Sequence, residues 1–378
     1  MKKCLVDPRS LQRFDFGPTH PFKIARLGLT YDLIEAYGLT DDEDTYVILP
    51  REATEEEAKA FHSAGYLETL RLADSGMWVP NLFSHGLGTP DNPVFPGVYE
   101  WGMQVAGASI QAADEILGGR AGRAFNLAGG LHHAMPSRAS GFCHINDAAL
   151  AIHHLVSGGK RVVYVDIDAH HGDGVQEAFY RRADVLTISV HQTGQTIFPG
   201  TGFVGEIGRE DGVGATINVP LLPGATDDLF ARVLHEVILP AIEAFQPDVL
   251  VTQLGSDAII GDLVANLRMS LTQFERMVEG FAGVGIPWLA LGGGGYDVGN
   301  VARAWTIAWS IITEKAPLPD ELPAQWATAA STRGVFVPSL RGPIEATPSS
   351  PDHIHEDFDR TVADLQRDVF PFLRAHRP

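Results

Sequence analysis

Cysteine is scarce: the 378 residues contain two, Cys4 and Cys143. Two thiols cannot build a disulfide framework, so an apolar core must hold the fold, and this usage suits a reducing cytoplasm. No apolar run reaches the length of a membrane span. The opening Met1-Lys2-Lys3-Cys4-Leu5-Val6-Asp7 lacks the apolar stretch of a signal peptide. Positive charge is also short, with 28 Lys+Arg against 47 Asp+Glu and a net charge of −19. Such a surface repels nucleic-acid phosphates and anionic lipid, so neither is an expected partner. It attracts lysine-rich peptides or polyamines, although solubility alone is a simpler account of the charge. Internal repeats and low-complexity tracts are missing too.

What remains is an ordinary globular mixture, 45 % hydrophobic and 20 % charged, with 40 glycines and 15 histidines that cluster. The length fits one large α/β domain over 1–378, with a core of about 15–315. The first ~80 residues read as helices, over Ile24–Tyr37 and Ala53–Ala64, the latter opened by the acidic turn Thr54-Glu55-Glu56-Glu57. Asp41–Asp44 is an acidic loop, and Asn81–Val98 a long Gly/Pro/Asn-rich one. Helices are then expected over Val105–Leu117, Ile145–Val156, Val175–Arg182, Leu229–Phe245, Leu271–Val284 and Val301–Thr313. Strands are expected over Ala124–Leu127, Arg161–Ile167, Val185–Val190, Asp248–Leu254 and Trp288–Leu291. This alternation implies a parallel sheet between helix layers. A Pro-rich connection follows over Ala316–His355, then a closing amphipathic helix to Arg374.

In such sheets ligands bind beyond the carboxyl ends of the strands. Those ends run here into Gly129-Gly130-Leu131-His132-His133, Asp166-Ile167-Asp168-Ala169-His170, Ser189-Val190-His191, Gly255-Ser256-Asp257 and Gly292-Gly293-Gly294-Gly295-Tyr296. Five such ends point to one shared site. Along an extended backbone Asp166, Asp168 and His170 share one face. Asp168 and His170 with Asp257 offer oxygen and imidazole donors for a divalent metal and leave a coordination position open. A lone Asp-x-His would more simply cap a helix and pack; Asp257 on another strand end favours the metal. The His132-His133 pair follows two glycines, which let backbone approach a ligand, and Asp166 and Asp173 are candidate carboxylates to orient it. His153-His154 lies within a helix and carries no such signal. The Gly292–Gly295 run lacks the spacing of a phosphate or dinucleotide loop. It either presents the Tyr296 hydroxyl to the site or packs that ring beneath a loop.

These stretches, together with Ala139-Ser140-Gly141-Phe142-Cys143, Phe198-Pro199-Gly200-Thr201-Gly202, Gln253-Leu254-Gly255-Ser256-Asp257 and the N-terminal His20-Pro21-Phe22-Lys23, resemble the zinc-dependent histone deacetylases. The likeness is nearest to class I and to the bacterial acetoin-utilisation deacetylases. It covers about two thirds of the chain and fades beyond about residue 315. The resemblance implies an arginase-like α/β fold with a mostly parallel eight-stranded sheet, and zinc on Asp168, His170 and Asp257, with Fe2+ as another occupant of the same ligands. It implies that Asp166 supports His132 and Asp173 supports His133. Phe142 and Phe198 would wall a tunnel, with the Gly141 carbonyl facing it. Asp91 would stand at the rim, Val264 at the mouth and Arg26 along an internal channel at the foot. A structural potassium (K+) would take Asp166, Asp168, Ser189 and the carbonyls of His170 and Val190.

The implied reaction is hydrolysis of an acyl-lysine amide. His133 acts as general base, His132 assists electrostatically and Tyr296 donates to the developing oxyanion. Expected partners are an acylated lysine peptide or protein, or an acylated amine; nothing sets the oligomeric state. An acetylpolyamine deacetylase is the second enzyme reading. A two-metal ureohydrolase would need a further aspartate that Ser256-Asp257 does not supply, and a non-catalytic acyl-lysine reader would dispense with Tyr296 or the histidine pair. Departures from the family pattern are Pro136-Ser137-Arg138, His144 where eukaryotic members carry Tyr, Thr193, and a small Val264 at the mouth. They bear on substrate rather than chemistry.

Overall fold

Short apolar segments with nothing to expose on either face become the strands. In the computed structural model, which describes residues 1–342 and 348–375, eight strands form one sheet. They are β1 (Lys3–Val6), β2 (Thr45–Ile48), β3 (Arg123–Asn126), β4 (Val162–Asp166), β5 (Val185–Gln192), β6 (Thr216–Leu221), β7 (Val249–Gln253) and β8 (Trp288–Leu291). The order is β2-β1-β3-β8-β7-β4-β5-β6 and every pairing is parallel. Parallel sheets need cover on both faces, and β4, β5 and β7 are buried along their whole length. Side chains alternate between two apolar layers. Val162 and Tyr164 pack with Ala149 and Ile152 of the helix Asp147–Ser157 and with Ala112 of the helix Val98–Leu117. Val163 and Val165 point the other way, into a core that includes Leu33 of the helix Ala25–Ala36 and Trp305 of the helix Val298–Ile312.

The topology positions the site. From β3 the chain crosses to β4, and β7 and β8 later fill the gap between them. The strands β3, β8, β7 and β4 are therefore consecutive neighbours at the centre of the sheet. Segments as far apart in the chain as Asn126 and Leu291 end side by side there.

Several expectations needed correction. The first ~80 residues are not all helical, because β1 and β2 lie within them. Neither runs out into a glycine cluster such as marked the equally short β3 and β8, and β2 is a half-exposed edge. The six-residue β6 was missed because Asn218 and Pro220 interrupt its apolar run. Ala53–Ala64 is not one helix: Thr54 and Glu57 close a capping box on the single turn Glu55–Ala58, and Ser63 caps a second helix, Ala64–Asp74. The central helix starts at Val98 rather than Val105, and the connection after residue 315 contains the helix Ala324–Thr332. The closing helix runs Asp352–Asp368, followed by Phe370–Ala375. Within the expected connection 343–347, and within the expected domain 376–378, lie outside the described residues.

Candidate active site

The strand β4 stops at Asp166, so Asp166, Asp168 and His170 do not alternate along an extended strand as expected. Instead Asp166 Oδ1 accepts the Asp168 N–H (3.1 Å), and Asp168 Oδ1 accepts the His170 N–H (3.0 Å). Each carboxylate thus caps the backbone two residues on and bends it into an arc. The arc separates the three side chains: Asp166 turns toward His132, while Asp168 and His170 turn toward Asp257.

His170 Nδ1 lies 3.1 Å from Asp168 Oδ1 and 3.0 Å from Asp257 Oδ2. The three candidate ligand atoms lie within 4.8 Å of one another, and all three residues are buried. The outer lone pairs are already used. Asp168 Oδ2 accepts from Gln253 Nε2 (2.7 Å) and the Gly294 N–H (2.8 Å), and Asp257 Oδ1 accepts the Ala169 N–H (2.7 Å). The inner faces are thereby aimed at one point. Burial, then the Asp168 charge, pushes the Asp257 carboxyl up to about 7. Against the cost of burial, the two carboxylates raise the His170 imidazole to about 10 and hold a proton on it; a divalent cation would take that proton's place. A Cβ on Gly294 would strike both Asp168 Oδ2 and Asp257 Oδ2. The donor set and its cradle fit such an ion.

His132 and His133 follow β3. The turn before them is fixed by Asp147, whose carboxylate accepts the N–H groups of Gly130 (3.0 Å) and Leu131 (2.8 Å). His132 Nδ1 donates to Asp166 Oδ2 and His133 Nδ1 to Asp173 Oδ1, both at 2.7 Å. Both Nε2 atoms then face each other at 3.0 Å, a spacing that requires one proton between them. The surroundings place it. Burial alone would lower His132, but Asp166 and Asp168 outweigh it and raise its pKa to about 9. Burial, then the His132 charge, lowers His133 to about 4. The pair is split into one charged and one neutral imidazole, and the neutral one lines the pocket.

That pocket holds about 240 Å³ and is lined by Asp91, His133, Gly141, Phe142, His170, Ile197, Phe198, Val264 and Tyr296. Every rim, wall and mouth residue inferred from the sequence reaches it. Phe142 has a left-handed φ of +69° and Gly141 one of +51°. A Cβ at Gly141 would strike His133 and Phe198, so only glycine lets this turn sit against the histidine. Tyr296 packs edge-on against Phe142, with ring centroids 5.6 Å apart. Burial, then the charges of Asp257 and Asp168, raises its phenol well above its usual pKa and keeps it a donor. Arg26 is fully buried behind Phe22, at 4.1 Å from that ring centroid, and donates to the Gly295 carbonyl (2.9 Å). Phe22 lines a small cavity of about 10 Å³ at the foot of the site. Asp166 and Ser189 are cross-strand partners in β4 and β5 and are both buried.

Sequence reasoning missed several supports. His20 Nε2 donates to the Asp91 carbonyl (3.1 Å), and its ring packs edge-on against Phe142. His62 Nε2 accepts the Asn146 N–H (3.0 Å), and Asn146 Nδ2 donates to the carbonyls of His132 (3.2 Å) and Ala134 (3.0 Å). Gln253 and Asp262 were missed as well. His20, Asn146 and Asp262 act on backbone, which leaves no residue pattern, and Gln253 acts on the Asp168 carboxylate from another strand. Three had a signal: Ile197 in its place beside Phe198, and His20 and Gln253 in stretches that carry the family resemblance.

A wholly parallel sheet with carboxylates and imidazoles gathered beyond its central strand ends defines an amide hydrolase of the arginase/deacetylase fold. The sequence pattern of the histone deacetylase domain matches residues 20–312, and the chain belongs to the histone deacetylase family. It is 40 % identical over 325 residues to the acetoin utilization protein AcuC of Bacillus subtilis, covering 84 % of this chain and 83 % of that one. It is 40 % identical over 311 residues to histone deacetylase 9 of Arabidopsis thaliana, covering 82 % and 72 % respectively. The crystal structure of an HDAC homologue from Aquifex aeolicus superposes with a TM-score of 0.88 at 32 % identity, covering 96 % of this chain and all of that one. Among the described residues no helix is long and apolar enough to cross a membrane.

Proposed function

We propose that the chain hydrolyses the acyl amide of N-acyl-lysine side chains, with zinc held by Asp168, His170 and Asp257. The observation that carries this reading is the convergence of those ligand atoms at the floor of a pocket whose wall holds His133 and Tyr296. A bound zinc ion would polarise the amide carbonyl and acidify a water molecule; Fe2+ suits the same donors. The acylated side chain lies between Phe142 and Phe198, which exclude bulk water. His133, kept neutral beside a charged His132, takes a proton from the attacking water and returns it to the leaving amine. His132 stays protonated on Asp166 and stabilises the negative charge that develops. Tyr296 donates a hydrogen bond from its hydroxyl to the oxyanion. Asp91 at the rim holds the substrate backbone, and the small Val264 leaves the mouth wide. Potassium is proposed on Asp166, Asp168, Ser189 and the carbonyls of His170 and Val190, supported by the adjacency of Asp166 and Ser189.

The net charge of −19 fits a second reading equally well, hydrolysis of acylated polyamines. A panel of acyl-lysine peptides from acetyl to long-chain, beside acetylated polyamines, separates the two. Each substrate is assayed with and without chelator. Peptide turnover that chelation abolishes and zinc restores is the expected result. Turnover that survives complete removal of metal refutes the mechanism.

A further inference from the structure

Four successive glycines leave Tyr296 on the most pliable backbone in the site. Gly293 and Gly295 have φ of +134° and +133°, values a side-chain-bearing residue rarely adopts. The peptide unit joining Gly295 to Tyr296 can therefore turn at little energetic expense, and the phenol would turn with it. Two charged side chains oppose that rotation. The Gly295 carbonyl accepts from Arg26 Nη1 at 2.9 Å. The Tyr296 N–H, at the other pole of the same peptide, donates to Asp262 Oδ2 at 2.8 Å. In a trans peptide these poles point in opposite directions, so the unit is held from both sides. Hydrogen bonds to ionised partners are also roughly twice as strong as neutral ones.

Asp262 does more than hold one end. Its other oxygen accepts the Val264 N–H at 3.0 Å, and Oδ2 also receives the Asp297 N–H at 3.4 Å. Val264 lines the pocket, as does Tyr296. One carboxylate thus ties a residue of the pocket mouth to the backbone of the hydroxyl donor.

We infer that Asp262 is a positioning residue that locks the Tyr296 hydroxyl onto the reacting carbonyl and couples its placement to the mouth at Val264. This rests on the role proposed above for Tyr296. Removing the carboxylate frees the peptide to turn and spreads the hydroxyl over several positions. Catalysis falls while the metal ligands stay in place.

A double-mutant cycle tests the inference: Asp262→Ala, Tyr296→Phe and the pair, assayed as metal-loaded enzyme on a trifluoroacetyl-lysine peptide. The reactive carbonyl of that substrate keeps slow variants measurable. Metal content and melting temperature are measured in parallel. Asp262→Ala is expected to lower kcat about 10- to 100-fold with metal content retained, and to lower it less than about 2-fold further once Tyr296 is Phe. Equal losses in both backgrounds overturn the inference, since Asp262 would then act independently of Tyr296. A Tyr296→Phe variant with full activity overturns the proposed role of Tyr296, and this inference with it. Asp262→Asn covers the case in which Ala does not fold. Its carbonyl can still accept the Tyr296 N–H, but its amide cannot accept the Val264 N–H. It is expected to retain most of kcat while raising KM, and a kcat as low as that of a Tyr296→Phe enzyme contradicts the assignment.

Discussion

At the floor of the pocket Asp166, Asp168 and Asp257 are almost wholly buried; Asp166 and Asp168 each accept at least two hydrogen bonds, and Asp257 accepts the Ala169 N–H. At the rim Phe198 is 44 % exposed, and Asp91 is exposed too. The rim loops are held mainly through backbone, as where His20 meets the Asp91 carbonyl and Asp262 the Val264 N–H. The two regions lie only a side chain's length apart but tolerate change differently. A floor carboxylate cannot be altered without stranding buried partners, and a stranded charge in a dry site is expensive. A rim side chain can change size and leave its backbone anchor intact. The floor therefore fixes the reaction, and the rim chooses what enters.

The strongest test of that division removes a floor ligand. Asp257→Ala or His170→Ala should lose bound metal, measured by elemental analysis. Each should cut kcat/KM by at least about a thousand-fold, since Lewis-acid stabilisation is worth several kcal/mol. Full activity with an empty site would end the distinction. Tyr296→Phe comes next, and it bridges the regions because its ring belongs to the wall. We expect kcat to fall about 100- to 1,000-fold with metal content unchanged. Loss of metal in that variant would make Tyr296 part of the floor's architecture instead.

These two regions were not equally legible in the sequence. Asp168, His170, Asp257 and the His132-His133 pair stood out because clusters of chemistry-bearing residues follow short buried strands there. The five strands read from the sequence were all present, with ends shifted by no more than two residues. What the sequence did not reveal was the network that aims these side chains. Asn146, Gln253 and Asp262 hold backbone groups or a carboxylate from a distance, and the same residue types occur in any loop. The extended alternation of Asp166, Asp168 and His170 failed for a related reason. The carboxylates cap their own backbone and bend the chain, a local contest that favours turn over strand.

Rim substitutions should move selectivity rather than rate. Phe198→Ala removes one wall and leaves the hydrogen-bonded floor alone. We expect KM to rise about 10-fold with kcat within about 3-fold, the scale at which apolar pockets discriminate. Val264→Leu should narrow the mouth and shift the kcat/KM ratio toward acetyl over long-chain acyl peptides by about 10-fold. If either variant instead loses metal or most of its kcat, the rim is not separable from the floor.

The smallest effect at working pH concerns the support beneath the floor. His62 donates from Nδ1 to the Met135 carbonyl (3.1 Å) and accepts the Asn146 N–H at Nε2, so both ring nitrogens are committed to the neutral form. Burial lowers its pKa from 6.5 to about 4, against the smaller opposing effect of the Met135 and Pro136 carbonyls. The sign follows from linkage. Above pH 6.5 His62 is neutral in both folded and unfolded chains and contributes no pH dependence. Between pH 6.5 and 4 the unfolded chain takes up a proton that the folded chain refuses, so stability falls as the pH drops, by on the order of 3 kcal/mol. Gln at this position keeps one donor and one acceptor but cannot titrate. The variant His62→Gln should therefore show a shallower loss of unfolding free energy from pH 6.5 to 4 in urea melts, with kcat at pH 8 within about 3-fold of the parent. An unchanged slope would show that other buried groups dominate acid unfolding. A large loss of kcat at pH 8 would place His62 among the residues that set His132 and His133, extending the rigid floor as far as the end of the turn that follows Ala58.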